Sequence, residues 1–250
     1  MESDDVAGEI DANDMAVTGV LFLDEGVRLQ RHDDRGQSCM TMSGQHTSKR
    51  SVSAAEPATA MAHADVVEDF INRAAACGSR SVPPSEIVKL LAAPMMELAT
   101  HAKSWLRAEH LQSCAEGYAR NLIYSAPDGH LSLYALVWLP GQWTPIHDHG
   151  SWGVVGVVEG VLEEQNYVRL SPDDGRDEAI KLSRGGIVLL TPGAVSTFVP
   201  NPDHIHVTGV SADTERVVSL HLYGRAMTDF NVYDLVTGTR RRVEAGRVDN

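Results

Sequence analysis

The sequence predicts a mainly β protein, a sandwich or barrel, preceded by a small helical segment. Two observations carry this. From Tyr118 onward, close to a dozen short apolar runs alternate with corners rich in Gly, Pro and Asp, and no helical pattern intervenes. Before that point, from about residue 62 to 114, apolar residues instead recur at helical spacing.

The first 60 residues differ from both. Glu2, Asp4, Asp5, Glu9, Asp11 and Asp14 crowd the start without a basic residue, and a Ser-, Thr- and Gly-rich stretch follows. Few apolar positions recur at either period, so residues 1–60 are read as a disordered or weakly ordered extension. The extension is either a functional tail or the product of a mis-assigned translation start, with Met61 as the true one. Residues 61–250 are expected to form one domain, with helices over about 62–114 and a barrel over about 118–243.

Within the helical segment, Val66, Val67, Phe70, Ile71 and Ala74 form one stripe, with Gly78 as the C-terminal stop. A second helix should start after Pro83 and Pro84, and Pro94 should kink or break it. The strands begin with YARNLIYS and HLSLYALVWL, which flank the turn Pro127-Asp128-Gly129. Then come the stretch from Gly141 to Gly160, VLEEQNYVRL, EAIKLS, RGGIVLLTPG, AVSTFVP, HIHVTGV and RVVSLHLYG.

Composition narrows the function. The chain has 250 residues and a net charge of -13, and this acidic balance argues against sequence-independent nucleic-acid binding. No apolar run approaches a membrane span and no signal-peptide pattern opens the chain. Cys39, Cys77 and Cys114 are widely spaced with no CxxC, which argues for a reducing compartment, without a disulfide framework or zinc ribbon. The cytoplasm is the expected location, with a monomer or small homo-oligomer as the expected state.

The chemistry concentrates in GQWTPIHDHGSWGVVGVVEG. His147 and His149 stand at i and i+2 of an extended segment, so both imidazoles face one side and can converge on one metal ion, with Asp148 on the other face. A third ligand must come from downstream. His204 and His206 alternate in NPDHIHVTGV, and spacing alone does not choose between them. Further on, Ser219, His221 and Tyr223 share one strand face and can form a hydrogen-bonded polar row. Trp138, Trp143 and Trp152 are read as core or pocket wall, and Asp148 as a structural acceptor.

The spacing of Gly141, His147, His149, Gly153 and Gly160 resembles the first motif of the cupins, which are double-stranded β-helix barrels of the jelly-roll type. Most cupins keep a metal-binding glutamate at the Gly153 position. HDHGSWG, the IHV element, SLHLY and the upstream YARNL together resemble the thiol dioxygenases of the cysteine dioxygenase type, over about residues 118–223. That resemblance implies Fe(2+) held by His147, His149 and His206, with His204 a bystander. It implies substrate contacts from Arg120, Tyr118 and Tyr223, and a supporting row of Ser219, His221 and Tyr223. It further implies a small carboxylate-bearing thiol and O2 as reactants, L-cysteine foremost, with the sulfinic acid as product.

Two features qualify the resemblance. Animal members crosslink the tyrosine to a cysteine after HDH, and no thiol follows HDH in this chain. Members preferring 3-mercaptopropionate carry glutamine at the Arg120 position and an arginine pair after the tyrosine. Arg225 is close by, but too near Tyr223 to match. 3-Mercaptopropionate or mercaptosuccinate are the alternative substrates. A non-catalytic metal- or ligand-binding cupin is the alternative of another class. A hydrolase or isomerase using nickel, manganese or zinc fits less well without the glutamate, and an enzyme for protein N-terminal cysteines would leave Arg120 misplaced.

Overall fold

The computed structural model describes residues 58–78, 82–200 and 204–244. Nearly all of the expected N-terminal extension therefore lies outside the described residues, and Met61 falls inside the first helix. That helix, α1, runs Ala58–Gly78, followed by α2 (Pro84–Thr100), α3 (Ala102–Trp105) and a 3-10 turn at Ala108–Leu111. Ten strands follow: β1 (Ala119–Ser125), β2 (Ser132–Trp138), β3 (Gly153–Glu159), β4 (Leu162–Arg169), β5 (Leu182–Leu190), β6 (Val195–Phe198), β7 (Ile205–Gly209), β8 (Val217–Tyr223), β9 (Asp229–Asp234) and β10 (Thr239–Glu244). No helix among the described residues is long and apolar enough to cross a membrane.

The helical stripe is narrower than its pattern suggests. Phe70, Ile71 and Ala74 are buried, whereas Val66 is exposed. Pro83 caps α2 in an extended conformation and Pro84 opens it, as the missing N–H of a first-turn proline allows. Pro94 does not end the helix, which continues to Thr100. The carbonyl that loses its donor belongs to Leu90, on the exposed face, where water can supply one. Cys77 is a free thiol.

β1, β2, β8, β3 and β6 form one antiparallel sheet in that order, and β5, β4 and β7 form a second. EAIKLS and RGGIVLLTPG, read as separate strands, join in β5, which crosses the two glycines with an irregular register against β4. Every residue of β2 and β8 is buried because both faces of their sheet are covered. On one face, Leu133, Ala135, Leu220 and Leu222 pack against Leu91, Met95 and Leu98 of α2. The helix approaches so closely that a Cβ on Gly156 would lie 2.8 Å from Met95 Cγ. The period of two then sends Tyr134, Leu136, Trp138, Ser219, His221 and Tyr223 to the opposite, barrel face.

The second sheet is extended by a segment without regular strand geometry. Thr144 N–H donates to Thr208 O (2.8 Å), His147 and His206 exchange backbone bonds of 2.9 and 3.0 Å, and Asp148 N–H donates to Asn231 O (3.1 Å). Tyr233 N–H donates to Ile146 O at 2.9 Å. Residues 144–148 thus lie between β7 and β9, with bonds on both edges. This is the two-sheet barrel with a helical lead-in that the sequence predicts.

Candidate metal centre

Because His147 pairs with His206 across β7, their side chains rise on one face as neighbours. His149, two residues on, joins them. Ring centroids are 4.7 Å apart for His147 and His149, 4.6 Å for His147 and His206, and 5.0 Å for His149 and His206. Each offers a ring nitrogen, and the three nitrogens lie within 4.8 Å of one another. All three residues are buried.

Burial, reinforced by neighbouring imidazoles, holds His147 and His149 well below the ordinary histidine value. His206 is also lowered by burial, in part offset by Glu164. All three are therefore neutral near pH 7, the form that binds a metal. His147 Nδ1–H donates to Pro145 O at 3.0 Å, which leaves the lone pair on Nε2. His149 Nδ1 and both ring nitrogens of His206 are buried with no protein hydrogen-bond partner. Orphaned buried nitrogens are costly, and a cation bound among them removes that cost. The donor set of three neutral imidazoles fits a divalent first-row transition metal.

The opposite face of the same segment is anchored. Asp148, buried, accepts from Asn231 Nδ2 at 3.1 and 3.0 Å and from Tyr233 Oη at 2.6 Å. Its expected structural role holds. Arg225 donates from Nε to His149 O (3.1 Å) and from Nη2 to Asp229 Oδ1 (2.9 Å), so it clamps the loop backbone and does not line the pocket.

The pocket in front of the histidines is lined by Tyr118, Arg120, Leu136, Trp138, Thr144, Val155, Thr208, His221, Tyr223, Met227 and Phe230. All the expected site residues therefore reach one cavity except Ser219, which lies one step behind it. Arg120 is 5% exposed, with its guanidinium 4.4 Å above the Tyr134 ring and Nη2 donating to Met227 O at 3.3 Å. Tyr118 stacks on Trp138 at 4.5 Å. Ser219 Oγ lies 2.9 Å from His221 Nε2, and Tyr223 Oη lies 3.2 Å from His221 Nδ1, which forms the expected row.

Two residues at the site escape the sequence reading. Glu164 stands behind His206, with Oε2 3.6 Å from His206 Nδ1 and Oε1 3.1 Å from His204 Nε2. Burial would raise its pKa, but the hydrogen bond with His204 and the nearby His206 ring outweigh that and lower it, so the carboxylate is ionised. His204 is thus no bystander: it holds the carboxylate that faces His206. The signal was available, since Glu164 is two residues from buried Leu162 on one strand and must share its inward face.

The second is Phe198. Its ring stacks on His149 at 4.3 Å and lies parallel to His204 at 5.2 Å. A Cβ placed on Gly153 would fall 2.2 Å from Phe198 Cζ and 2.9 Å from Leu222 O. The position where a barrel of this type commonly carries a fourth, carboxylate ligand is therefore filled by an aromatic ring. Gly153 also pairs directly with Tyr223 and brings no thiol beside it.

Gly153→Ala is expected to cost about 1–3 kcal/mol by urea unfolding, from overpacking. The cost should shrink in a Phe198→Ala background, where the two nearest obstructing atoms are gone and the Leu222 carbonyl remains. Equal costs in both backgrounds would remove Phe198 as the occupant of this space.

Cysteine dioxygenase type 1 of Bos taurus is 29% identical over 127 residues, covering 50% of this chain and 60% of the bovine protein. The chain thus spans less than two thirds of that relative. Among solved structures, a conserved protein with a double-stranded β-helix domain from Klebsiella pneumoniae matches at 14% identity, over 50% of this chain and 92% of that one, with a TM-score of 0.36. A cupin-like protein from Ralstonia eutropha matches at 14% identity, over 54% of this chain and 70% of that one, with a TM-score of 0.36. The profile of the cysteine dioxygenase type I family matches residues 51–236, and the chain belongs to that family.

Proposed function

We propose that the protein is a non-haem Fe(II) thiol dioxygenase that converts a small carboxylate-bearing thiol, L-cysteine foremost, and O2 into the sulfinic acid. The observation that carries this reading is the meeting, in one buried pocket, of three neutral histidines and the guanidinium of Arg120. Family membership supports the reaction class. In the overall change, R–SH and O2 give R–SO2H, so both oxygen atoms end on sulfur and no further reductant is needed.

Iron held by His147, His149 and His206 would supply a redox-active Lewis acid that brings the thiolate and dioxygen together. Neutral ligands leave its 2+ charge undiminished, which favours an anionic sulfur. The chain's own residues do the rest. Arg120 presents a planar fork suited to a carboxylate, and its contact with the Tyr134 ring, 4.4 Å from the guanidinium carbon, helps hold it in place. Glu164 places a carboxylate oxygen 3.6 Å behind His206 Nδ1, where its charge raises the basicity of that imidazole. Burial holds the Tyr223 phenol above its usual pKa, so it remains a hydrogen-bond donor. Leu136, Val155, Met227 and Phe230 keep bulk water from the reacting sulfur.

The single guanidinium suits a substrate with one carboxylate, which favours L-cysteine or 3-mercaptopropionate over mercaptosuccinate. A barrel that only senses or stores a ligand has no need of Arg120 and the polar row together.

The test is oxygen uptake and sulfinate formation by iron-loaded protein with L-cysteine, 3-mercaptopropionate and mercaptosuccinate. Turnover is expected with L-cysteine, loss on iron chelation, and recovery with Fe(II) but not Zn(II). No sulfinate from any of the three thiols would overturn the enzyme class. Arg120→Gln is expected to lower kcat/KM for cysteine about 10- to 100-fold, the worth of one charge-assisted hydrogen bond. An unchanged profile would remove Arg120 from the substrate site.

A further inference from the structure

The polar row on β8 does not end at Ser219. Trp138 Nε1 lies 3.0 Å from Ser219 Oγ, and both residues are completely enclosed. An indole nitrogen can only donate, so this contact has one direction: Trp138 gives and Ser219 Oγ accepts. The serine must then place its own proton elsewhere. Among the described residues, the only other group that Ser219 Oγ bonds is His221 Nε2, at 2.9 Å. Any other arrangement leaves a buried hydroxyl proton without an acceptor.

The consequence runs along the strand. If Ser219 donates to His221 Nε2, that nitrogen carries a lone pair. His221 is buried, and burial, with His206 and Arg120 assisting, takes its pKa down to about 3, so the ring is neutral. Its single proton is then on Nδ1, which donates to Tyr223 Oη at 3.2 Å. Tyr223 accepts from His221 and keeps its own proton for the pocket. With the row reversed, Tyr223 would donate to His221 and offer the pocket only a lone pair.

We propose that Trp138 and Ser219 are positioning residues that polarise this row, fixing His221 as the Nδ1–H tautomer so that Tyr223 donates its proton into the thiol site. Trp138 closes the one other direction in which Ser219 could donate, and its N–H strengthens the donation that remains. The place of Tyr223 in a thiol site rests on the function proposed above; the direction of the row rests on the hydrogen bonds alone.

The test is the 15N NMR signature of the His221 ring in full-length, zinc-loaded protein, assigned by its loss in His221→Gln. The expected result is a protonated, pyrrole-type Nδ1 and an unprotonated, acceptor-type Nε2. A protonated Nε2 in the unsubstituted protein overturns the proposal, whatever the protein oxidises. Ser219→Ala, which removes the donor to Nε2, is expected to raise the Nε2–H population. Trp138→Phe is expected to move the tautomer ratio the same way by a smaller amount. An unaltered Nδ1–H tautomer in Ser219→Ala also contradicts the proposal. If Trp138→Phe fails to fold, the unsubstituted protein and Ser219→Ala decide it. Because the readout needs neither iron nor turnover, its failure is distinct from failure of the dioxygenase reading.

Discussion

The backbone pairing of His147 with His206 is the contact on which the site depends. Two hydrogen bonds of 2.9 and 3.0 Å set two imidazoles side by side and fix which face of the barrel they share. The segment 144–148 has no strand of its own, yet bonds on both edges hold it, to β7 on one side and β9 on the other. Asp148 then secures the reverse face through Asn231 and Tyr233. A three-histidine cluster needs this rigidity, because a ligand misplaced by a fraction of an ångström alters the coordination. The usual weakness of a loop-borne site is removed by making the loop an interior member of a sheet.

The electrostatics follow from the same arrangement. Three buried imidazoles, neutral because burial forbids their charge, surround a point that calls for a cation. Glu164 supplies one negative charge behind His206, outside the ring of ligands. Arg120 supplies a positive charge across the pocket. The field in the cavity thus favours an anion that can reach both the metal position and the guanidinium. A thiolate at one end and a carboxylate at the other satisfy that description.

The sequence disclosed those features that depend on local period. The HxH pair, the row Ser219, His221 and Tyr223, and the alternating strands could all be read from period two. Gly153 stood out through the resemblance to the cupin motif and not through period, and its reason stayed hidden: Phe198, 45 residues away, fills the space above it. What stayed hidden depends on contacts between distant segments. Glu164 reads as one more charge in an acidic run until β4 lies beside β7. His204 looks idle until that carboxylate is placed. Pro94 reads as a kink or a break, but the exposed face of α2 lets the helix run on past it. Trp138 reads as core, and its role in the row emerges only when β2 pairs with β8.

The central claim is that this pocket delivers both atoms of dioxygen to one sulfur. Turnover of L-cysteine under 18O2 by the iron-loaded protein, with mass analysis of the product, tests it most directly. The account predicts a sulfinate carrying two heavy oxygens. A product with one labelled oxygen, or a disulfide with none, would contradict it.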